Sequence, residues 1–252
     1  MKGYIAFTKK EILENIYNFR FIILCAIFIM FGITGVLFAK FTPQILEILA
    51  NNIRTDTIPE AIDSWKQFYK NIPSVGYSAL LILYGSSLSN EYSKGTLVLM
   101  ITKGLSRTTI ILSKFTVAVI TMTISYWITF AVTYGYTNYF WDNSQMDNVV
   151  ISGVLLWIIG LLYLSILMLG CVLFKQTFTS ILFTGGIVVV LSLSNIINPL
   201  KQFSPMMLTS KNIELISGEA ERNIFIIPII LTFSLVIFFL TSATLLFKKK
   251  QL

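Results

Sequence analysis

Histidine is absent from the 252 residues, and cysteine occurs only twice, at Cys25 and Cys171. Without histidine the chain lacks the commonest general base and the commonest transition-metal ligand, so metal hydrolysis and Ser-His chemistry lose most of their support. Both cysteines lie in apolar runs and match none of the usual metal or disulfide spacings, so each reads as a small hydrophobe. Charge is scarce, with only 12% of residues being Asp, Glu, Lys or Arg. No G-x-x-x-x-G-K-[ST] phosphate loop occurs, so the chain does not hydrolyse ATP by itself.

What the chain has instead is apolar length. Hydrophobic residues make up 55% and the mean hydropathy is +0.77, values of the membrane class. Uncharged runs at 21–39, 72–89, 115–141, 149–174, 176–200 and 223–247 each approach or exceed the ~20 residues of a helical crossing. The predicted fold is therefore all-α, one membrane domain over 1–252 with six transmembrane helices and no room for a separate soluble domain. None of these runs holds Asp, Glu, Lys, Arg or His. Proton- or sodium-coupled carriers place such groups near the midplane, so secondary transport is disfavoured. Intramembrane proteases and lipid transferases lose their catalytic constellations in the same way.

The net charge of +7 is distributed by topology and does not point to nucleic acid. With the amino terminus inside, the inner pieces carry 12 basic and 3 acidic residues, and the outer loops 7 basic and 9 acidic. That asymmetry predicts both termini in the cytoplasm.

Residues 2–20 read as an amphipathic helix along the inner membrane surface. Ile5, Ile12, Leu13, Ile16 and Phe19 share one face, and Lys10, Glu11, Glu14, Asn15 and Asn18 the other. A signal peptide is the competing reading, but Glu11, Glu14 and the lack of a small-x-small site speak against it. The outer loop 40–71 is predicted to hold two short surface helices, at Ile45 to Leu49 and Ile62 to Tyr69, acting either as a gate or as a cap. Polar residues within the runs mark either a transport path or helix packing. The candidates for lining a path are Tyr77, Tyr84, Ser86, Thr123, Tyr126 and Asn195. Gly185 and Gly186 suit close helix approach, Asn198-Pro199 is predicted to unwind the fifth span, and 201–222 is apolar enough to dip back into the membrane.

The remaining segment, 90–114, is a basic loop with Lys94, Lys103, Arg107 and Lys114 against the single acid Glu91. It encloses Leu97 to Ile101, an apolar run too short to cross. A short surface helix is predicted here, started by Asn90 or Ser93 and stopped by Gly104, with Ser106 as the next cap. The alternative is a solvated basic loop.

At these residues the chain resembles the permease subunits of type 2 ABC exporters, the ABC-2 membrane family. The shared pattern is Asn90, Glu91, Gly95 and Thr96, an apolar stretch, then Gly104, Ser106, Arg107 and Lys114, set between the second and third spans. It departs from many relatives in carrying Lys103-Gly104 where they have a proline. The resemblance implies that 2–20 is an interface helix, that 90–114 is a coupling region, and that 201–222 forms a re-entrant exit gate. It implies ATPase-coupling roles for Glu91, Gly95, Lys103 and Arg107. It also implies two soluble ATPase subunits carrying ATP and magnesium, and a second permease chain, identical or homologous. No cofactor or metal is expected on this chain. The expected cargo is hydrophobic or amphipathic, such as a peptide, toxin, antibiotic or lipid-like molecule, exported across a bacterial cytoplasmic membrane. A passive channel and a membrane assembly or anchor subunit remain as alternatives.

Overall fold

The computed structural model describes residues 2–49, 58–142 and 146–250. The fold is all-helical, 86% helix, with no strand among the described residues. In chain order the helices are α1 (Lys2–Tyr17), α2 (Arg20–Leu49), α3 (Ala61–Asn71), α4 (Tyr77–Ser93), α5 (Thr96–Thr102), α6 (Arg107–Phe140) and α7 (Val149–Phe174). They continue with α8 (Thr177–Ser194), the short α9 (Asn198–Lys201), α10 (Met207–Ser210) and α11 (Asn212–Ile216), and α12 (Ile226–Lys249). Five segments are long and apolar enough to cross a membrane: Arg20–Ile45, Arg107–Phe140, Val149–Phe174, Thr177–Ser194 and Arg222–Lys249. The centre is α7, whose spanning window is 78% buried, whereas that of α8 is 11% buried and forms the periphery.

The segment expected to be the second span differs from its sequence reading. Residues 61–93 form one helical run, in which α3 passes through a π-turn at Ile72–Gly76 into α4. Pro73 supplies no N–H and crowds the preceding turn, and the widened turn accommodates it. The outer-loop helix predicted around Ile62 to Tyr69 exists, but it does not lie on the surface. Trp65 and Phe68 are almost fully buried, packed tilted or edge-on against Tyr126 and Phe130 of α6 at centroid distances of 5.2–5.9 Å. The other predicted surface helix, Ile45 to Leu49, is the end of α2, which runs ten residues beyond the expected 39. Residues 50–57 of that loop and 143–145 of the next lie outside the described residues.

Other boundaries follow local chemistry. Phe19, at φ +57°, breaks the chain between α1 and α2 so that α1 can turn onto α6. α8 stops at Ser194, just before the Asn-Pro pair expected to unwind it. Residues 201–222 fold back as short helices, with Met206, Met207, Leu208, Leu215 and Ile216 buried and α10 and α11 packed on α7. The bundle has a basic end, which gathers α1, α5, Arg107, Lys114, Lys175 and Lys248 to Lys250. The opposite end holds the start of α3 and the short helices α9 to α11.

One side of α6 is a polar seam. Thr121, Ser125, Thr129, Thr133 and Thr137 recur every fourth residue and are all buried. Ser125 and Thr129 donate to the carbonyl four residues back, at 2.8 and 2.9 Å. The hydroxyls also meet neighbouring helices, Ser125 at Cys25 (3.1 Å) and Thr137 at Ser64 (2.7 Å). On the facing side, α6 and α7 touch closely where Gly153 meets Phe130, and the Tyr126 hydroxyl donates to the Gly153 carbonyl at 2.7 Å. A Cβ at 153 would lie 2.5 Å from the Phe130 ring, which is itself wedged against Trp65, Phe68 and Trp127. Gly153→Ala is therefore expected to destabilise the protein by about 1–3 kcal/mol through overpacking, read as a lower midpoint of thermal unfolding in detergent. Gly135→Ala, with nothing within 4 Å of the added Cβ, is the control and should leave the midpoint unchanged or raised.

Candidate functional site

At the basic end, α1, α4 and α6 converge on five charged side chains. Lys114, on the first turns of α6, has its side chain 1% exposed. Its ammonium lies 2.9 Å from Glu11 Oε2 of α1 and 2.8 Å from Glu91 Oε1 of α4, and it donates to Ser87 Oγ at 3.4 Å. Lys10 closes the cluster from the half-exposed side, at 3.0 Å from Glu11, 2.5 Å from Glu14 and 3.6 Å from Glu91. Helical spacing explains the geometry. Lys10 and Glu14 stand one turn apart on α1, and Phe7, Glu11 and Asn15 form its buried stripe. That stripe docks on α6 through further polar pairs, Tyr4 with Thr116 at 2.7 Å and Thr8 with Ser113 at 3.0 Å. Asn15 donates to the Tyr84 hydroxyl at 2.6 Å, which in turn meets Thr121. The Ile5, Ile12, Leu13 and Ile16 face of α1 points outward.

The electrostatics follow from burial. Desolvation pushes the Glu91 carboxyl above the usual glutamate range, an effect that the charge of Lys114 only partly offsets. Partial burial opposes the charges of Lys10 and Glu14, but their mutual contact outweighs it, raising Lys10 and lowering Glu14. Glu11, Glu14 and Glu91 place carboxylate oxygens within 4.8 Å of one another, a spacing that fits a metal ion. The two ammoniums already occupy the space between them.

Next to the cluster sits α5, held between two glycines in the left-handed region, Gly95 (φ +66°) and Gly104 (φ +87°). Only glycine takes these angles without steric cost. Ser106 caps α6 by accepting from the Thr109 N–H at 3.2 Å, as the sequence predicts. The predicted start at Asn90 or Ser93 is not where α5 begins: α4 continues through Ser93, and Gly95 precedes α5. Leu97 anchors α5 inward at 1% exposure, while Val98 and Leu99 stand 45% and 62% exposed.

Of the four residues assigned to coupling, Gly95 and Lys103 flank α5 and are exposed, but Glu91 and Arg107 direct their charges into the chain. Arg107 Nη1 donates to the carbonyls of Phe247 (2.9 Å) and Lys248 (3.2 Å) and also meets that of Lys250, closing the end of α12. Lys250 in turn donates to the carbonyls of Val172 and, at 2.9 Å, Leu173, closing the end of α7. Tyr92 lies against this joint, edge-on to Phe247 and beneath the ammoniums of Lys175 and Lys250.

The six path candidates do not converge on one cavity. Tyr77 donates to Leu156 O at 2.6 Å, Tyr126 to Gly153 O, and Tyr84 joins Asn15 and Thr121. Thr123 accepts from Trp157 Nε1 at 3.0 Å, Ser86 donates to Leu83 O at 3.0 Å, and Asn195 donates to Ser210 at 3.2 Å. Five of the six thus bridge separate helices or segments. Sequence reasoning missed Lys10, Glu11 and Lys114 as a unit. The 7, 11, 15 spacing on α1 and a lysine at the lip of an apolar run were the available signals.

Lys114→Ala leaves Glu11 and Glu91 buried without their shared cation, and is expected to cost about 3–5 kcal/mol of stability. Combining Lys114→Met with Glu11→Gln and Glu91→Gln should recover most of that loss in a thermal unfolding assay. Glu14 carries its own pH signature. Its carboxyl is held below the usual 4.5, so its contribution is full above that value and fades as pH falls through the lowered one. Glu14→Gln should therefore be less stable than the parent at pH 7, by a few tenths of a kcal/mol as for exposed pairs, with the difference shrinking as pH falls below the usual glutamate range.

The family model described as ABC-2 family transporter protein matches residues 5–252. No curated protein and no solved structure matches the chain.

Proposed function

The chain belongs to the ABC-2 family of transporter proteins, and from that premise we propose that it is the membrane-spanning subunit of an ATP-driven exporter powered by a separate ATPase. The observation that carries this reading is α5. It is a seven-residue helix with one apolar side chain, Leu97, locked into the bundle and two more, Val98 and Leu99, offered outward beside Lys103. A short helix presenting an apolar ridge at the basic, cytoplasm-facing end is the type of knob that fits a groove on a soluble partner. Two ATPases would engage two such helices, one from each of a pair of permease chains.

The roles of Glu91 and Arg107 then change in kind. Neither charge points to the partner, so each acts through the chain's own framework, as a positioning residue. Glu91 links the α4 side of α5 to Lys114 and α1. Arg107 links the α6 side to the ends of α12 and, through Lys250, α7. A displacement of α5 on ATP binding is passed to the bundle through these two links. The spanning helices bury hydroxyls and carbonyls in mutual bonds and hold no charge in their middles, which favours an uncharged, hydrophobic or amphipathic cargo exported between paired chains.

Co-purification tests this. The tagged chain, extracted in mild detergent from its own cells, should carry a soluble ATPase with a phosphate-loop motif in stoichiometric amount. Val98→Glu with Leu99→Glu should abolish that association. Glu91→Gln and Arg107→Ala should keep the ATPase bound but remove the difference in hydrolysis rate between the complex and the free ATPase. A chain that purifies without an ATPase overturns the reading in favour of a channel or anchor.

A further inference from the structure

Beside the ionic cluster a cleft of about 500 Å³ opens between α1, the start of α2, and the α4–α5 junction, within the ~300–1,000 Å³ typical of small-molecule sites. Its walls carry both signs of charge, Lys10, Arg20 and Lys94 against Glu14 and Glu91, with Asn90 beside them. Two features distinguish it from an ordinary solvated surface. Arg20 and Lys94 have no acid within ion-pair distance among the described residues, although Arg20 is close enough to act on the charge of Glu14. Glu91, 94% buried, is among the residues around the cleft; its Oε1 is held by Lys114, and its Oε2 accepts no hydrogen bond among the described residues. A buried carboxylate oxygen without a donor is costly unless something outside the chain supplies one.

The depth of the cleft follows from the sequence around it. Arg20 is the last charge before nineteen uncharged residues, so it stands where the apolar slab of the membrane begins. Next to it, Ile16, Tyr17, Phe19, Ile22 and Ile23 are 43–77% exposed among the described residues. A molecule filling the cleft therefore meets cations, buried carboxylates and an apolar exit in the same place.

We propose that this cleft binds the headgroup of an amine-bearing phospholipid of the inner leaflet, its phosphate between Arg20 and Lys94 and its ammonium against Glu14 and Glu91, its acyl chains along the exposed start of α2. An anionic headgroup without an amine brings its negative charge towards Glu14 and Glu91 with no cation of its own to set against them. A quaternary amine reaches them without a hydrogen-bond donor. The site is a property of this chain and does not depend on an ATPase being present.

The test uses the full chain in mild detergent, stripped of lipid, with thermal unfolding and native mass spectrometry as readouts. Added phosphatidylethanolamine should raise the unfolding midpoint and remain bound, while phosphatidylglycerol and phosphatidylcholine do so weakly or not at all. Lys94→Gln lies on the exposed rim, away from the buried cluster. It should keep the lipid-free midpoint and weaken phosphatidylethanolamine binding about tenfold, the loss of one charge-assisted bond. Arg20→Gln should do the same, and the pair more. Equal retention of the three lipids, or retention unaffected by both variants, overturns the proposal. Stabilisation by soluble phosphoethanolamine or inorganic phosphate to the same extent as the lipid would identify a free solute and also overturn it. So would stabilisation by magnesium that is lost in Glu14→Gln, which would identify a cation site, or loss of the lipid when the ATPase binds, which would make the cleft a protein contact. These outcomes leave the exporter reading untouched, since that reading stands on ATPase association.

Discussion

The structure depends on one ammonium group. Lys114 is buried near the start of α6, a helix whose only other charge is Arg107, and removing a lysine charge from water costs several kcal/mol unless it is repaid by close opposite charge. Glu11 and Glu91, both under 3 Å away, supply that charge, but they come from two other helices and have the same need themselves. The three groups are therefore tolerable only together. That mutual requirement fixes where α1 lies on α6 and how α4 ends beside both. A surface ion pair would tie nothing down, because water can replace either partner. Here water is largely excluded, so the arrangement of the basic end is set sharply although the total gain in stability is small.

From this corner order passes along α6. Thr121, Ser125, Thr129 and Thr137 satisfy themselves against their own backbone and so can face neighbouring helices without requiring a partner from each, while Thr133 donates to the Gly32 carbonyl of α2. Where a partner is present, at Tyr84, Cys25 and Ser64, the hydroxyl bridges to it. Small side chains permit close approach, and in lipid such packing replaces the hydrophobic drive that holds soluble helices together. Polar residues in spans are equally compatible with a transport path, and sequence alone does not separate the two. The bonds made by Tyr77, Tyr126 and Thr123 show helix-to-helix contact within the single chain.

Much of the architecture was legible because membrane helices announce themselves by length and charge. The long apolar helices, the break at Gly104, the cap at Ser106 and the end of α8 before Asn198-Pro199 follow from local rules. What was not legible depended on distance in sequence. Trp65, Phe68 and Tyr69 have the same helical spacing whether they lie on a bilayer or inside a bundle, and only the aromatic surface of α6, some sixty residues later, decides for the interior. The uncharged run starting at 72 suggested a boundary there, yet one widened turn carries the helix past Pro73. Glu11 read as part of a polar face turned to water. Its actual partner is 103 residues away, and the 7, 11, 15 spacing that marks the buried stripe does not by itself say which helix covers it.

The same limit applies to the candidate site and shows how it works. Glu91 and Arg107 stand on either side of α5, and charge beside a short exposed helix naturally suggests contact with a partner. Their side chains turn the other way. Arg107 closes the carbonyl end of α12 and Lys250 that of α7, the most buried helix, so the far side of α5 is joined to the centre of the bundle by two successive helix caps. The near side is joined to α1 and α6 through Lys114. A helix of seven residues held by flexible glycines at both ends would, on its own, absorb a push by swivelling. Leu97, buried between those glycines, pins α5 to the bundle, and beyond the glycines its flanks are tied to an ion cluster and to two capped helix ends. Displacing α5 must then either break buried charge contacts, which is costly, or move the helices that carry them. Under the proposed coupling, the exposed apolar ridge would receive force from the ATPase and the inward-facing charges would oblige the bundle to follow.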